Sequence, residues 1–287
     1  MASTDGVLLV DKPAGITSHD VVAVARRVLR IRRIGHAGTL DPFATGLLVL
    51  LTGRATRLLP YLDDEPKVYD ATITFGAATD TDDATGTVTA TAPLPAEDAV
   101  RRAIPALTGA IDQIPPAYSA KQVDGERAYD AARRGAPLAL KPARITVERW
   151  EVRAWRDGAL DATITCSGGT YIRALARDLG RLAGSAAHLS ALRRTRAGTF
   201  RLEQAATVAA LQHGDVSIQP ALAAVASLPT AALDAARLAR LAHGMSVEAD
   251  VATGAPRAAL TDGAGQLVAI AEPDAGRWHP RVVFTDG

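Results

Sequence analysis

The chain has 287 residues, 48% of them apolar and 22% charged, with a formal net charge of +1 at pH 7. That is enough apolar material for one large domain plus a small one, and too little net charge to name a partner by itself. A single cysteine, Cys166, excludes an intrachain disulfide and a cysteine-cluster metal site, and the six histidines show no zinc-ligand spacing, so no metal is expected. No apolar run is long enough to span a bilayer, and the opening MASTDGVLLVDKPAG lacks the basic segment and long apolar core of a secretory signal. The expectation is a cytoplasmic monomer with no membrane partner.

Gly6 to Asp11 reads as a strand that stops at Lys12-Pro13 and the turn Ala14-Gly15. Lys12 is open to two readings, a phosphate contact or a solvated turn lysine. A helix follows, with Ser18 as N-cap and Val21, Val24, Ala25 and Val28 on one face. Its far end carries Arg26, Arg27 and Arg30, and Arg32 and Arg33 come just after, with no acid among them.

The stretch Gly35 to Arg57, GHAGTLDPFATGLLVLLTGRATR, sets Asp41 between a glycine-rich turn and the apolar run Gly46 to Leu51. Gly35, Gly38 and Gly46 permit positive φ or close backbone approach, and Pro42 fixes the chain immediately after the acid. The residues alone leave two readings of Asp41 open, a catalytic acid on a rigid loop and an ordinary turn aspartate.

Arg54 to Leu62 has helical character, and Lys67 to Gly76 alternates with Tyr69, Ala71, Ile73 and Phe75 on one face. Tyr69 is either a core tyrosine or a ring facing a pocket. Asp80, Asp82 and Asp83 lack the glycine and terminal Glu of a calcium loop, and are expected to be loop and surface. After a helix from Pro95 to Leu107, the segment Gln113 to Gly135 is broken by prolines and ends in a helix from about Gly125. So long an excursion reads as a lid, an RNA-touching insertion or packing. Two alternating strands, Ile145 to Trp155 and Ala159 to Cys166, lead to SGGTYIRALARDLGRLAG, a glycine turn opening a helix with Ile172, Leu175, Leu179 and Leu182 as its apolar face. Tyr171 and Arg173 stand in its first turn, where Arg173 either meets a buried carboxylate such as Asp41 or lies on the surface. Leu189 to Phe200 is a further strand, with Leu192 a wall of the core or of a pocket. Arg173, Arg177, Arg181, Arg193, Arg194, Arg196 and Arg201 form a second basic group, able with the first to make a face for phosphates.

Val216 to Thr230, rich in Ala, Ser and Pro, is the expected boundary; a helix at Ala231 to His243 and short strands at Ala258 to Leu260, Leu267 to Ala271 and Arg281 to Phe284 follow. The fold class is α+β, with domains at 1–226 and 230–287.

GHAGTLDPFATGLLVLLTGRATR resembles the catalytic motif of the bacterial tRNA pseudouridine-55 synthases, and DKPAGITSHDVV, QIPPAYSAKQVDGERAYDAARRG and GTYIRALARDLG…AHLSALRRTRAGTF resemble the same family in the same order, over residues 6 to 212. The resemblance implies a pseudouridine synthase fold: a mixed, mostly antiparallel sheet flanked by helices with the cleft across its middle, an RNA-contacting insertion at about 110–140, and a small C-terminal PUA-like RNA-binding domain. It implies isomerisation of one uridine in the TΨC loop of tRNA, with the TΨC arm as partner and no cofactor. Asp41 is then the carboxylate acting at ribose C1′, by attack or by a glycal-type route, and Arg173 the cation that keeps it charged. Tyr69 stacks on the base and is a candidate to take the C2′ proton; Tyr171 and Leu192 enclose the base, and His36 and Lys12 contact the RNA. Gln122 stands where the family often has a lysine, and residues 230–287 match the PUA-type module only loosely. A tRNA-binding protein with secondary catalysis and an RNA glycosidase using Asp41 are the competing functions.

Overall fold

The computed structural model describes residues 4–119, 121–123, 125–136, 138–251 and 254–284. The extreme ends of both expected domains, and Ala120, Asp124 and Pro137 of the expected insertion, therefore lie outside the described residues. In chain order the first elements are β1 (Gly6–Lys12), α1 (Ser18–Leu29), β2 (Ile34–Ala37), β3 (Thr45–Thr52) and β4 (Lys67–Phe75). Next come α2 (Glu97–Ala103), β5 (Gly109–Gln113), α3 (Ala128–Arg133), β6 (Ala143–Arg156), β7 (Ala159–Cys166), α4 (Ile172–Leu182) and β8 (Ala187–Ala197). The chain ends with α5 (Val208–His213), β9 (Thr230–Ala232), α6 (Ala235–Ala242), β10 (Ala258–Thr261), β11 (Leu267–Asp274) and β12 (Arg277–Val283). Two compact units emerge: residues up to Leu40, 47–64 and from Thr199 onward in one, Asp41–Gly46 and Glu65–Gly198 in the other.

In the first unit β1 lies between β3 and the short parallel strand Ala206–Thr207, and β2 runs antiparallel to β3. The apolar run after Gly46 is β3, and Leu47 to Leu51 are fully buried. Leu48 and Leu50 pack with Leu8, Val10, Val21 and Val22, so the valine face of α1 closes one core. Thr17, rather than Ser18, is the N-cap of α1: it forms a capping box with Asp20. Ser18 is instead buried, with its hydroxyl donating to Leu40 O (3.1 Å) and accepting from Leu40 N–H (3.0 Å). That two-point contact pins the residue immediately before Asp41. The last strands form a separate sheet, β9-β10-β11-β12, around Leu233, Leu241, Leu260 and Trp278.

The second unit is an antiparallel sheet in the order β8-β4-β7-β6-β5. At its edge Thr45 and Gly46 pair with Arg193 and Arg194 in parallel, which makes the arrangement mixed. β4 alternates as expected: Tyr69, Ala71, Ile73 and Phe75 are buried, while Asp70, Thr72 and Thr74 face the other way. On that polar face Thr163 donates to Asp70 (2.5 Å), Thr72 to Asp161 (2.8 Å) and Thr74 to Ser190 (2.8 Å). α4 turns Ile172, Leu175 and Leu179 inward, but Leu182, expected on the same face, is 49% exposed because the last turn runs past the sheet. Among the described residues no helix is long and apolar enough to cross a membrane.

Gly46 is the residue on which the edge pairing depends. Its φ is +101°, and an added Cβ would lie 2.3 Å from Arg194 O and 2.8 Å from Arg194 N, both backbone atoms that cannot swing aside. Gly46→Ala should lower the unfolding free energy by more than about 1 kcal/mol, since positive φ and backbone collision act together. Urea denaturation of the purified variant measures it; an unchanged midpoint would contradict the close approach.

Candidate active site

Asp41 follows directly on the pinned Leu40 and opens the six-residue segment that enters the second unit. Ala44 N–H donates to Asp41 O at 3.1 Å, closing a turn around Pro42. Gly38 and Gly46 adopt positive φ as the sequence predicts, whereas Gly35 is an ordinary residue of β2. The Asp41 carboxylate meets Arg173 at two points, Nε to Oδ2 at 2.9 Å and Nη2 to Oδ1 at 3.2 Å, with the Asp41 side chain 35% exposed and that of Arg173 5%. A guanidinium fork matched to both carboxylate oxygens fixes orientation as well as charge.

Arg173 is almost enclosed, so its remaining donors need acceptors. Nη1 donates to Thr81 O (2.8 Å) and Nη2 also to Tyr118 O (2.9 Å). A second carboxylate stands close behind: Asp83 Oδ2 lies 3.6 Å from Nε. Its other oxygen accepts from the Thr81 hydroxyl (2.9 Å), the Thr85 hydroxyl (2.6 Å) and Thr85 N–H (2.9 Å). The expectation that Asp82 and Asp83 are surface residues is therefore wrong; both are buried, because they answer the arginines of α4. Arg177, one turn on from Arg173, donates to Asp82 Oδ2 (2.9 Å) and to Ile114 O (2.9 Å). Burial pushes the Asp82 carboxyl above its usual range, and Arg177 beside it offsets only part of that rise.

Gln113 carries no periodic signal in the sequence, where it only opens the proline-broken segment. It ends β5, is 2% exposed, and clamps the backbone of Tyr171: Tyr171 N–H donates to Oε1 (2.8 Å), and Nε2 donates to Tyr171 O (3.1 Å). Tyr171 is the N-cap of α4 and has no side-chain cap of its own, so the amide of Gln113 fixes the start of the helix two residues ahead of Arg173. Burial raises the Tyr171 phenol above its ordinary value, more than Ser119 and Arg173 lower it.

The remaining expected residues are distributed less evenly. Leu192 is buried in β8 opposite Ala71, and its carbonyl accepts from the Thr45 hydroxyl (3.4 Å), four residues after Asp41. Tyr69 pairs with Arg194, which in turn pairs with Gly46, so one rung of the sheet links it to the end of the acid segment. A cavity of about 660 Å³ opens beside this rung, with Phe43, Thr45, Leu192, Arg193, Asp70 and Thr72 among its walls. His36 and Lys12 belong to the first unit. His36 sits edge-on to His19, ring centres 5.3 Å apart. Lys12 is corrected: it is fully buried, and Nζ donates to Pro13 O (2.9 Å) and Ile16 O (2.8 Å), so it braces the turn before α1 instead of presenting its charge to a phosphate. In the second arginine group, Arg173 and Arg194 are buried, and Arg177 and Arg181 are engaged by Asp82 and Asp178. Burial pushes the Cys166 thiol up to about 12, which leaves it protonated and inert as a nucleophile.

One acid held in a fixed orientation by a buried arginine can act on an electrophilic carbon without a second carboxyl. Comparison with known proteins gives the family. Residues 26–172 match the model of the TruB family pseudouridylate synthase N-terminal domain, and residues 173–224 that of the tRNA pseudouridylate synthase B C-terminal domain. The chain belongs to the TruB family. The tRNA pseudouridine synthase B of Thermobifida fusca (strain YX) is 47% identical over 291 residues, covering 98% of each chain. That of Streptomyces coelicolor is 43% identical over 293 residues, covering 98% of this chain and 97% of the relative. Among solved structures, a chain from an H/ACA RNP bound to a substrate RNA containing 2′-deoxyuridine is 25% identical with a TM-score of 0.72, covering 99% of this chain and 86% of its own. Family membership makes the chain an enzyme that forms pseudouridine, and the pseudouridine synthase fold accounts for the mixed sheet with flanking helices and the C-terminal β sheet.

Gln113→Leu should leave the N–H and C=O of Tyr171 without their partners, costing about 1–2 kcal/mol of stability and lowering pseudouridine formation, as thermal unfolding and product assay will show. A raised phenol stays neutral through the working range, so the activity ratio of Tyr171→Phe to the parent should be flat between about pH 6 and pH 9. A ratio that changes tenfold across that interval would mean the phenolate takes part.

Proposed function

We propose that the enzyme isomerises the uridine at position 55 in the TΨC loop of tRNA, with Asp41 as its one essential carboxylate and no cofactor. The observation that carries this reading is the two-point pairing of Asp41 with the enclosed Arg173. It is supported by relatives named tRNA pseudouridine synthase B that match across nearly the whole chain.

The reaction breaks the bond from ribose C1′ to N1 of uracil, turns the base over, and joins C1′ to C5. The proton on C5 is lost and N1 gains one, so composition does not change. The uracil anion leaves unprotonated and is retained, and no water has to be activated, which is why the paired carboxyls of a glycosidase are not needed. In this proposal Asp41 bonds to C1′ while the base turns, and the carboxylate leaves as C1′ joins C5; in the glycal variant the C2′ proton passes to a base, for which Tyr69 is the candidate, and returns when C1′ joins C5. Arg173 orients Asp41. Tyr69, Tyr171 and Leu192 enclose the base, and His36 supports the RNA around it.

A stacked uridine cannot reach a carboxylate held this way. The nucleotide must be extruded, at roughly a few kcal/mol, offset by contacts with the rest of the arm. We assign catalysis to residues 1–226, with an RNA-contacting insertion at about 110–140, and RNA binding to the PUA-like residues 230–287. The insertion is anchored at its base, since Arg173 and Arg177 hold the carbonyls of Tyr118 and Ile114. The protein is proposed to work as a cytoplasmic monomer, with the TΨC arm as partner and no membrane.

Asp41→Asn should abolish tritium release from C5-labelled uridine in tRNA while leaving tRNA affinity within about tenfold, because phosphate contacts carry most of the binding. Undiminished release would remove Asp41 from the mechanism, and free uracil as the product of the parent enzyme would make it a glycosidase.

A further inference from the structure

Many arginines of this chain are answered by carboxylates, among them Arg54 by Asp5, Arg101 by Glu97, Arg156 by Asp161, and Arg257 and Arg281 by Glu272. The end of α1 departs from that pattern. Arg26, Arg27, Arg30, Arg32 and Arg33 are all exposed, and residues 21 to 40 contain no acid. Arg26 donates to Ile34 O at 2.7 Å. Among the described residues, Arg27, Arg30, Arg32 and Arg33 have no carboxylate within ion-pair distance. Arg26 and Arg30 are four residues apart and Arg27 and Arg30 three, so their side chains neighbour one another on one helix face. Arg30 then takes the left-handed conformation, φ 55°, as the C-cap. The chain turns there, and Arg32 joins Arg26, Arg27 and Arg30 around a shallow cavity of about 490 Å³ floored by Ala23 and Ile31.

Attraction to the negative end of a helix explains basic residues in its last turn, but not Arg32 and Arg33 beyond it. Like charges gathered on one surface repel, and a polyanion relieves that repulsion. Arginine forks, rather than point-charge ammonium groups, suit the oxygens of phosphodiesters.

We infer that the arginine cup at the end of α1 is a docking surface for the phosphodiester backbone of the substrate RNA, separate from the residues that act on the uridine. The inference rests on the proposed tRNA substrate and adds where its backbone is held. Of the two basic groups in the sequence, this one is exposed throughout, whereas Arg173 and Arg177 of the other are held by carboxylates. The contact is to phosphate and so carries no base information; it raises affinity for any sequence and releases counterions on binding.

The test is the salt dependence of tRNA binding. For the full chain, R27Q/R30Q/R32Q should weaken binding at low salt by at least about tenfold and flatten the plot of log affinity against log salt by about two to three, near one per lost phosphate contact. R27K/R30K/R32K, which keeps the charge, should retain most of the parent slope. Circular dichroism of both variants matching the parent excludes unfolding as the cause. A parent slope in the glutamine variant overturns the inference, as does a lysine variant that is equally flat. So does a glutamine variant that keeps its tRNA slope but loses retention on phosphatidylglycerol vesicles, an outcome that assigns the cup to a membrane surface. Pseudouridine formation by the parent on the same tRNA is scored alongside: if it fails, the substrate reading falls, and if it succeeds while the slopes agree, only the cup does.

Discussion

Everything around the acid depends on the cost of enclosing a guanidinium. Taking Arg173 out of water is unfavourable by several kcal/mol unless each donor finds an acceptor. The chain meets that demand with four residues from three segments: Asp41 from the glycine loop, Thr81 and Asp83 from the turn after β4, and Tyr118 from the insertion. Segments far apart in sequence are thus drawn to one point on α4. The arginine orients the carboxylate, and the carboxylate helps to keep the arginine folded in. Removing either would strand the other.

The loop that presents Asp41 is built almost wholly from backbone constraints. Ser18 holds Leu40 on one side, and Gly46 lets the chain lie against Arg194 on the other. Between these anchors the backbone presents the acid, and the Arg173 fork orients its carboxylate. Preorganisation of this kind is set during folding and need not be supplied by the substrate.

Much of this was legible in the sequence. Alternation named the buried face of β4, the apolar run after Gly46 named β3, and a single acid among glycines drew attention to Asp41. What escaped notice has a common cause. Asp83, Gln113, Ser18 and Lys12 are polar residues whose partners lie in other segments, or in a backbone carbonyl that no pattern marks. Polar residues in loops are exposed by default, so Asp82 and Asp83 were assigned to the surface and Lys12 to solvent or phosphate. Only the three-dimensional neighbours reveal that they are enclosed. Ser18 was given the capping role of its neighbour Thr17 because both hydroxyls suit it, and the capping box with Asp20 decides between them. The two arginine groups look alike on paper, yet Arg173, Arg177 and Arg194 of the second are taken up by ion pairs or burial while the first remains on the surface.

The two faces of β4 carry a further meaning for how the pocket is made. Tyr69 lies on the buried face and Asp70 on the face where Thr163 donates to it. If β4 paired one residue out of step with β7 or β8, Asp70, Thr72 and Thr74 would turn into the core and the tyrosine would turn out. Burying that carboxylate away from its partners is costly enough to disfavour the misaligned sheet on its own. The placement of Tyr69 is therefore guarded during assembly by residues on the opposite face of the same strand.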